Sequence, residues 1–224
     1  MATTAELRLR VSEVFASIQG EGPTVGTPST FVRLQGCTVG CVWCDTKYAW
    51  APGRGREVTL AALLDEVRAA GLENVVITGG EPLEHPAFAP LVTALKGLGA
   101  RIEVETAGTE VPPDVPVDQW NVSPKLANSG VPEARRLRPA ALTRLRDLGA
   151  WFKFVVGDAR DLDEVLALQA RFALPAARIL LMPLGMRRAE QLARAPEVAA
   201  WCRRYGFRFS PRLHILLWGP RRGV

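Results

Sequence analysis

The chain has 224 residues, with 28 Lys and Arg against 23 Asp and Glu for a formal net charge of +5, 48% hydrophobic residues, four cysteines and two histidines. That size and apolar content describe one core-forming domain, residues 1–224, and exclude a disordered chain; no run nears the ~18 apolar residues of a membrane span, and Met1–Arg10 shows no secretory leader, so a cytoplasmic protein without a membrane contact is expected. The first 112 residues hold 9 basic and 13 acidic side chains and the rest 19 and 10, but no aromatic-rich basic stripe accompanies the charge, so an Arg-rich solvated surface is expected and direct nucleic-acid contact is not.

In chain order, residues 11–18 and 30–35 read as strands that lead into a loop rich in cysteine. Thr59 is placed to cap a helix over 60–70, whose Leu60, Leu63, Leu64 and Val67 share one face and which Gly71 ends. Residues 74–78 (NVVIT) read as a strand buried on both faces. The unit then repeats: helix 86–98, strands 101–106 and 119–123, helix 139–148, strand 151–156, helix 162–172, strand 178–182 and helix 189–205. Such alternation specifies right-handed crossovers and a largely parallel sheet. The fold expected is α/β, a partial βα barrel of about six mostly parallel strands, since a closed eightfold barrel takes about 250 residues. Even so, at least one βα connection must be trimmed. Ligands of such folds sit beyond the C-terminal strand ends, where Cys37, Gly79, Thr106 and Ser123 all fall.

Three of the four cysteines, Cys37, Cys41 and Cys44, lie within eight residues, a cluster suited to metal or redox chemistry rather than to a disulfide framework. Cys202 falls on an apolar helix face with Val198, Trp201 and Tyr205 and reads as a core residue. A structural zinc takes four ligands. Three thiolates fit a four-iron cluster better, with one iron left open for a cofactor. A second feature is Thr78-Gly79-Gly80-Glu81-Pro82, whose glycines allow close backbone approach to a ligand and whose proline fixes the turn. Glu105-Thr106 and Ser123-Pro124-Lys125 end the next two strands, where an ordinary turn is the plainer reading.

The Cys-x3-Cys-x2-Cys spacing resembles the signature of the radical S-adenosylmethionine superfamily. The flanks Ser17-Ile18-Gln19-Gly20-Glu21-Gly22-Pro23, Phe31-Val32-Arg33-Leu34-Gln35-Gly36 and Cys44-Asp45-Thr46, with Ser123-Pro124-Lys125 and a terminal His214 to Gly219, resemble the 7-carboxy-7-deazaguanine synthase family over nearly the whole chain. The resemblance implies a [4Fe-4S] cluster on Cys37, Cys41 and Cys44. It implies S-adenosylmethionine held by Trp43 against the adenine, by Cys44, Asp45 and Gly80, by Glu105, and by Ser123, Pro124 and Lys125 at the ribose and carboxylate. It also implies Mg2+ on the Thr46 hydroxyl, with Asp45 as a competing ligand or outer partner; a helix cap is the plainer role for Thr46. Magnesium suits such sparse ligation because it retains waters and borrows substrate oxygens.

The reaction implied converts 6-carboxy-5,6,7,8-tetrahydropterin to 7-carboxy-7-deazaguanine with loss of ammonia, in queuosine and related 7-deazapurine biosynthesis. A radical made from the cofactor would abstract a substrate hydrogen before the ring rearranges. Ile18, Gln19 and Gly20 can pair with a heterocycle edge, Arg33 can clamp a carboxylate, and Thr78 can donate from the rim. As an alternative, Arg33 is a surface charge on an alternating strand. Implied partners are an electron donor such as flavodoxin or ferredoxin and a second copy of the chain, for which Trp201 and Leu216–Trp218 supply apolar surface. Pro183-Leu184-Gly185 reads as a ligand-facing loop, and the tail Arg221-Arg222-Gly223-Val224 either reaches the substrate or lies free. Two other functions fit parts of the pattern: an activating enzyme for a glycyl radical protein, and a zinc-stabilised nucleic-acid module.

Overall fold

The computed structural model describes residues 7–224; the leader expectation rests partly on residues 1–6, which lie outside it. A nine-stranded sheet runs in the order β3-β1-β2-β4-β5-β6-β7-β8-β9. Its parallel part contains β2 (Pro28–Leu34), β4 (Asn74–Gly79), β5 (Arg101–Thr106), β6 (Gln119–Val122), β7 (Trp151–Val156), β8 (Ile179–Pro183) and the short β9 (Arg208–Phe209). Between them lie α1 (Leu60–Ala70), α2 (Phe88–Gly97), α3 (Glu133–Arg136), α4 (Pro139–Asp147), α5 (Ala159–Phe172) and α6 (Arg188–Tyr205), and α7 (Leu213–Trp218) follows the sheet. The two ends of the strand order are β3 and β9, so the sheet is an open, partial barrel as its length requires. The trimmed connection is β5 to β6, which carries no helix.

The front of the chain differs from the sequence reading in one respect. β1 (Arg8–Ile18) is an antiparallel arm, paired on one side with β2 and on the other with β3 (Arg56–Thr59). β3 is four residues long and polar, β9 two residues, so neither carries a periodic signal. α2 starts two residues later than expected because Pro82–Glu84 forms a separate 3-10 turn before it. Thr59 caps α1 as expected, its hydroxyl accepting from the Ala62 N–H at 3.2 Å, and Gly71 stops it with a left-handed φ of 68°.

Strand periodicity sorts the sheet into two faces. Val75 and Ile77, Ile102 and Val104, Trp120 and Val122, and Phe152, Phe154 and Val156 point outward and pack in one core with Leu63, Leu91, Leu95, Leu142 and Val165 of the helices. The intervening residues, Arg33, Thr78, Glu105, Asn121 and Lys153 among them, point into the barrel. The helical layer is therefore oily and the lumen polar, the arrangement that leaves the strand ends free for chemistry. Cys202 packs in the outer core, as its helix position predicts.

α5 is the best-capped helix: Asp158 accepts from the Arg160 N–H at 2.9 Å and Asp161 N–H at 3.3 Å, while Asp161 accepts from the Asp158 N–H in return. Asp158→Ala is expected to destabilise the fold by about 1 kcal/mol in urea unfolding while leaving the barrel mouth unaltered.

Candidate active site

A cavity of about 220 Å³ opens at the C-terminal ends of the parallel strands. The cysteine loop leaves β2 directly into it. Gly36 and Cys37 are held by N–H bonds to Ala49 and Trp50 carbonyls at 2.8 and 3.1 Å, and the far side of the loop by the Val42 N–H on Ser129 O at 2.9 Å. Trp43 donates its indole N–H to Asn128 O at 3.0 Å. All three loop cysteines are free thiols. Their surroundings are apolar, with Val39, Ala107 and Val131 packed against them.

Burial pushes the Cys37 thiol up to about 11 and raises that of Cys41, so ligation there displaces protons and depends on metal charge. The Cys44 sulfur accepts from the Thr46 N–H at 3.4 Å and from the Trp50 indole N–H at 3.3 Å. Dry walls and N–H donors aimed at sulfur are the surroundings that tune iron-sulfur clusters, and the donor set fits one.

The loop's position is set by glycine. A Cβ on Gly79 would lie 2.3 Å from Leu34 O, and one on Gly80 only 1.9 Å from Gly36 O and 2.7 Å from the Cys37 Cβ. The closest approach these glycines permit is therefore to the chain itself, not only to a ligand. Glu81 closes the same corner from below. It is 2% exposed and accepts from the Thr106 hydroxyl and the Ala107 N–H, both at 2.6 Å, and from the Leu83 N–H at 3.1 Å. The Thr106 hydroxyl is thus committed to Glu81.

Fifteen of the sixteen site residues singled out in the sequence line the one cleft: Ile18, Gln19, Gly20, Arg33, Cys37, Cys41, Trp43, Cys44, Asp45, Thr46, Thr78, Gly80, Glu105, Ser123 and Lys125. Pro124 instead faces Leu142, Phe152 and Phe154 on the helical side. Arg33 is no surface charge: its Nε donates to Glu13 at 2.7 Å, and among the described residues its two Nη atoms carry no protein hydrogen bond, leaving a fork for a carboxylate. The Thr46 hydroxyl makes no capping bond to the 3-10 turn at Lys47–Ala49 and among the described residues meets only the Cys44 sulfur, at 3.5 Å. Asp45, its neighbour, is paired with Arg212. Lys125 donates to the Ser123 hydroxyl at 3.0 Å and stands 5.5 Å over the Trp43 ring.

Phe15, Phe31, Glu21 and His214, also in the cleft, carried no role in the sequence reading. Phe15 and Phe31 stack at 5.0 Å, nearly parallel. Glu21 is buried between Lys153 and Arg212. Burial holds His214 below its ordinary value, with its ring against Gly20. Leu184 lines the cleft, as its loop position suggested, and so does Val224 of the tail, held down by Arg222 on Glu13 at 3.1 Å and over the Tyr48 ring at 3.9 Å. The signal for Lys153 was present in WFKFVV, a lone cation on the inward register of a strand otherwise apolar throughout.

Comparison with known proteins places these features in a family. The Radical SAM superfamily model matches residues 31–132. The 7-carboxy-7-deazaguanine synthase of Pyrobaculum aerophilum is 41% identical, aligning 98% of this chain with 99% of that one, and the synthase of Hyperthermus butylicus is 41% identical over 95% and 94%. The chain belongs to the 7-carboxy-7-deazaguanine synthase family. Its fold also matches the crystal structure of QueE from Escherichia coli, with a TM-score of 0.77, 29% identity and coverage of 94% and 96%. Streptococcus suis SuiB, 14% identical over 82% of this chain and 50% of its own with a TM-score of 0.56, shares the fold alone. Family membership carries the [4Fe-4S] cluster and S-adenosylmethionine with it.

Burial pushes the Glu81 carboxyl up to about 7 from an ordinary 4.5. Below pH 4.5 folded and unfolded chains both hold the proton; between there and pH 7 the unfolded chain has released it and the folded one retains it. Stability is therefore expected to fall across that window by up to about 3 kcal/mol. Glu81→Gln should flatten this part of the stability curve in urea unfolding at stepped pH, and a slope equal to that of the parent chain would contradict it.

Proposed function

We propose that the chain converts 6-carboxy-5,6,7,8-tetrahydropterin to 7-carboxy-7-deazaguanine with loss of ammonia, as a single catalytic domain. The observation that carries this reading is the convergence in one cleft of the three thiols with Gln19, Arg33 and Thr46, groups suited to a flat polar heterocycle bearing a carboxylate. When bound, the cluster and S-adenosylmethionine supply the hydrogen-abstracting radical; the hard chemistry is theirs.

The chain's own residues bind, orient and exclude. Cys37, Cys41 and Cys44 hold the cluster. Trp43 would pack on the adenine, the Gly80 backbone would take the methionyl amino group, Glu105 the ribose, and Ser123 and Lys125 the carboxylate. Gln19, with its second amide N–H and remaining lone pair, and the backbone of Ile18 and Gly20 read the pterin edge, and the Thr78 hydroxyl, whose proton goes to Glu105, offers lone pairs at the rim. The free Nη fork of Arg33 clamps the substrate carboxylate. The Thr46 hydroxyl would give Mg2+ one protein oxygen, sparse ligation of the kind that suits an ion able to retain waters and borrow substrate oxygens. Phe15 and Phe31 keep this end of the cleft apolar, which strengthens each charge-assisted bond within it.

The electron donor is of the flavodoxin or ferredoxin kind, the compartment is the cytoplasm, which keeps four free thiols reduced, and the chain works as a homodimer. The apolar surface for that contact lies at α6 and α7, where Leu192 and Leu217 are exposed. Among the described residues no helix is long and apolar enough to cross a membrane. The glycyl-radical and zinc-module readings are not favoured, since neither accounts for the relatives that match across the whole chain.

Anaerobically reconstituted protein is expected to form the deazapurine from the carboxytetrahydropterin; absence of product at full cluster content overturns the reading. Arg33→Lys, which loses the planar fork but keeps the charge, should raise KM for the pterin about tenfold with cluster content unchanged. Light scattering should report twice the chain mass, and a monomer at micromolar concentration would remove the dimer.

A further inference from the structure

Lys153 is a buried cation in the middle of a strand, and none of the roles above uses it. Flanked by outward-facing Phe152 and Phe154, it points into the barrel with its side chain 6% exposed. Its ammonium donates to Glu21, from the turn between β1 and β2, and stands 3.9 Å from Glu105, at the end of β5. An uncompensated carboxylate at this depth is costly, and a pair of them more so.

The other charged groups around the pair come from four elements. Arg212, before α7, donates to Glu21 at 3.1 Å and is also engaged by Asp45 and the Gly185 carbonyl. His214 lies in α7, Glu103 on β5 and Arg33 on β2, where Glu13 occupies it. Glu21 therefore has two cations. Among the described residues Glu105 has one within ion-pair distance, Lys153. Burial raises Glu105, and the lysine is the largest influence opposing that rise.

Glu105 needs its charge because both of its oxygens accept. Gln19 Nε2 donates to Oε1 at 3.3 Å and the Thr78 hydroxyl to Oε2 at 3.4 Å. The Gln19 carbonyl oxygen meanwhile accepts from the Glu21 N–H at 3.2 Å, so the amide is fixed in one orientation. A proton on Glu105 would remove the charge that assists both bonds and turn one acceptor into a donor, so that the Gln19 bond weakens or the Thr78 hydroxyl must turn to accept.

We propose that Lys153 is a positioning residue: its ammonium is the shared counter-charge that keeps Glu21 and Glu105 ionised together, fixing the pterin-reading groups on one side and the ribose anchor on the other. The inference rests on the roles given to Glu105, Gln19 and Thr78 under the proposed function. It makes cofactor and substrate recognition depend on one strand residue to which the proposed function gives no ligand contact.

The test is binding of S-adenosylmethionine to the reconstituted, reduced protein between pH 6 and 8.5, read from the change it makes in the cluster's electron paramagnetic resonance spectrum. The parent chain should vary less than twofold across the range. Lys153→Met should acquire an inflection of at least fivefold as Glu105 titrates, and Lys153→Met/Glu105→Gln should be flat again, at lower affinity. A lysine that merely packs would lower affinity equally at every pH, so a flat Lys153→Met profile overturns the proposal, as does an inflection that survives in the double variant. Lys153→Arg keeps the charge and should stay flat; an inflection there overturns the proposal even where the methionine variant fails to load a cluster. Failure of the parent chain to bind S-adenosylmethionine would instead overturn the functional reading, and this inference with it.

Discussion

Everything at the barrel mouth depends on how closely β2 and β4 end beside one another. Leu34 and Gly79 are register partners in a parallel pair, and just beyond them the Glu81 N–H bonds Gly36 O at 2.9 Å. Two chains leave the sheet through the same gap, one to become the cysteine loop and the other the Gly-Gly turn. Side chains at residues 79 and 80 would push them apart. Because they are absent, the first thiol is set against the turn, and Glu81 ties that turn to the end of β5. Three strand ends and the loop are thereby tied to one another, as hydrogen abstraction requires if the reactive atom is to meet one hydrogen of its substrate.

A second constraint works against the first. The lumen is lined with ions, and burying ions is unfavourable unless each has a partner. The structure meets this by pairing across elements distant in sequence: Glu13 with Arg33, Glu21 with Lys153 and Arg212, Asp45 with Arg212. These pairs link the antiparallel arm, the cysteine loop, β7 and the segment before α7. Their contribution lies less in net stability than in specifying one arrangement of loops that would otherwise be held only by turns.

Much of this was legible in the sequence for physical reasons. Strands such as NVVIT and RIEVET carry the period of a sheet, and Thr59 and Gly71 mark the ends of a helix by their own hydrogen-bonding and backbone preferences. The cysteine spacing and its flanking motifs pointed to the cleft because they lie at strand ends. What stayed hidden depends on the third dimension. β3 and β9 are too short to be periodic, and β1 looks like any other strand until its antiparallel partners are seen. Arg212 is one of many arginines in the basic half, and only folding shows that it is 7% exposed and bound to two carboxylates. Pro124 illustrates the reverse: a motif is contiguous in sequence, but consecutive residues of an extended chain face opposite ways.

The crossover from β5 to β6 is the one place where the barrel omits a helix. Where it leaves β5, Thr106 and Ala107 are locked by Glu81, while Glu110 and Val111 lie at the surface. Lengthening a surface loop costs only about 0.6 kcal/mol per doubling. Pro113 and Asp114, exposed between the buried Pro112 and the core-packed Val115, are accordingly where this scaffold can accept inserted sequence, a fluorophore or a tether to an electrode, without disturbing the chemistry a few residues away.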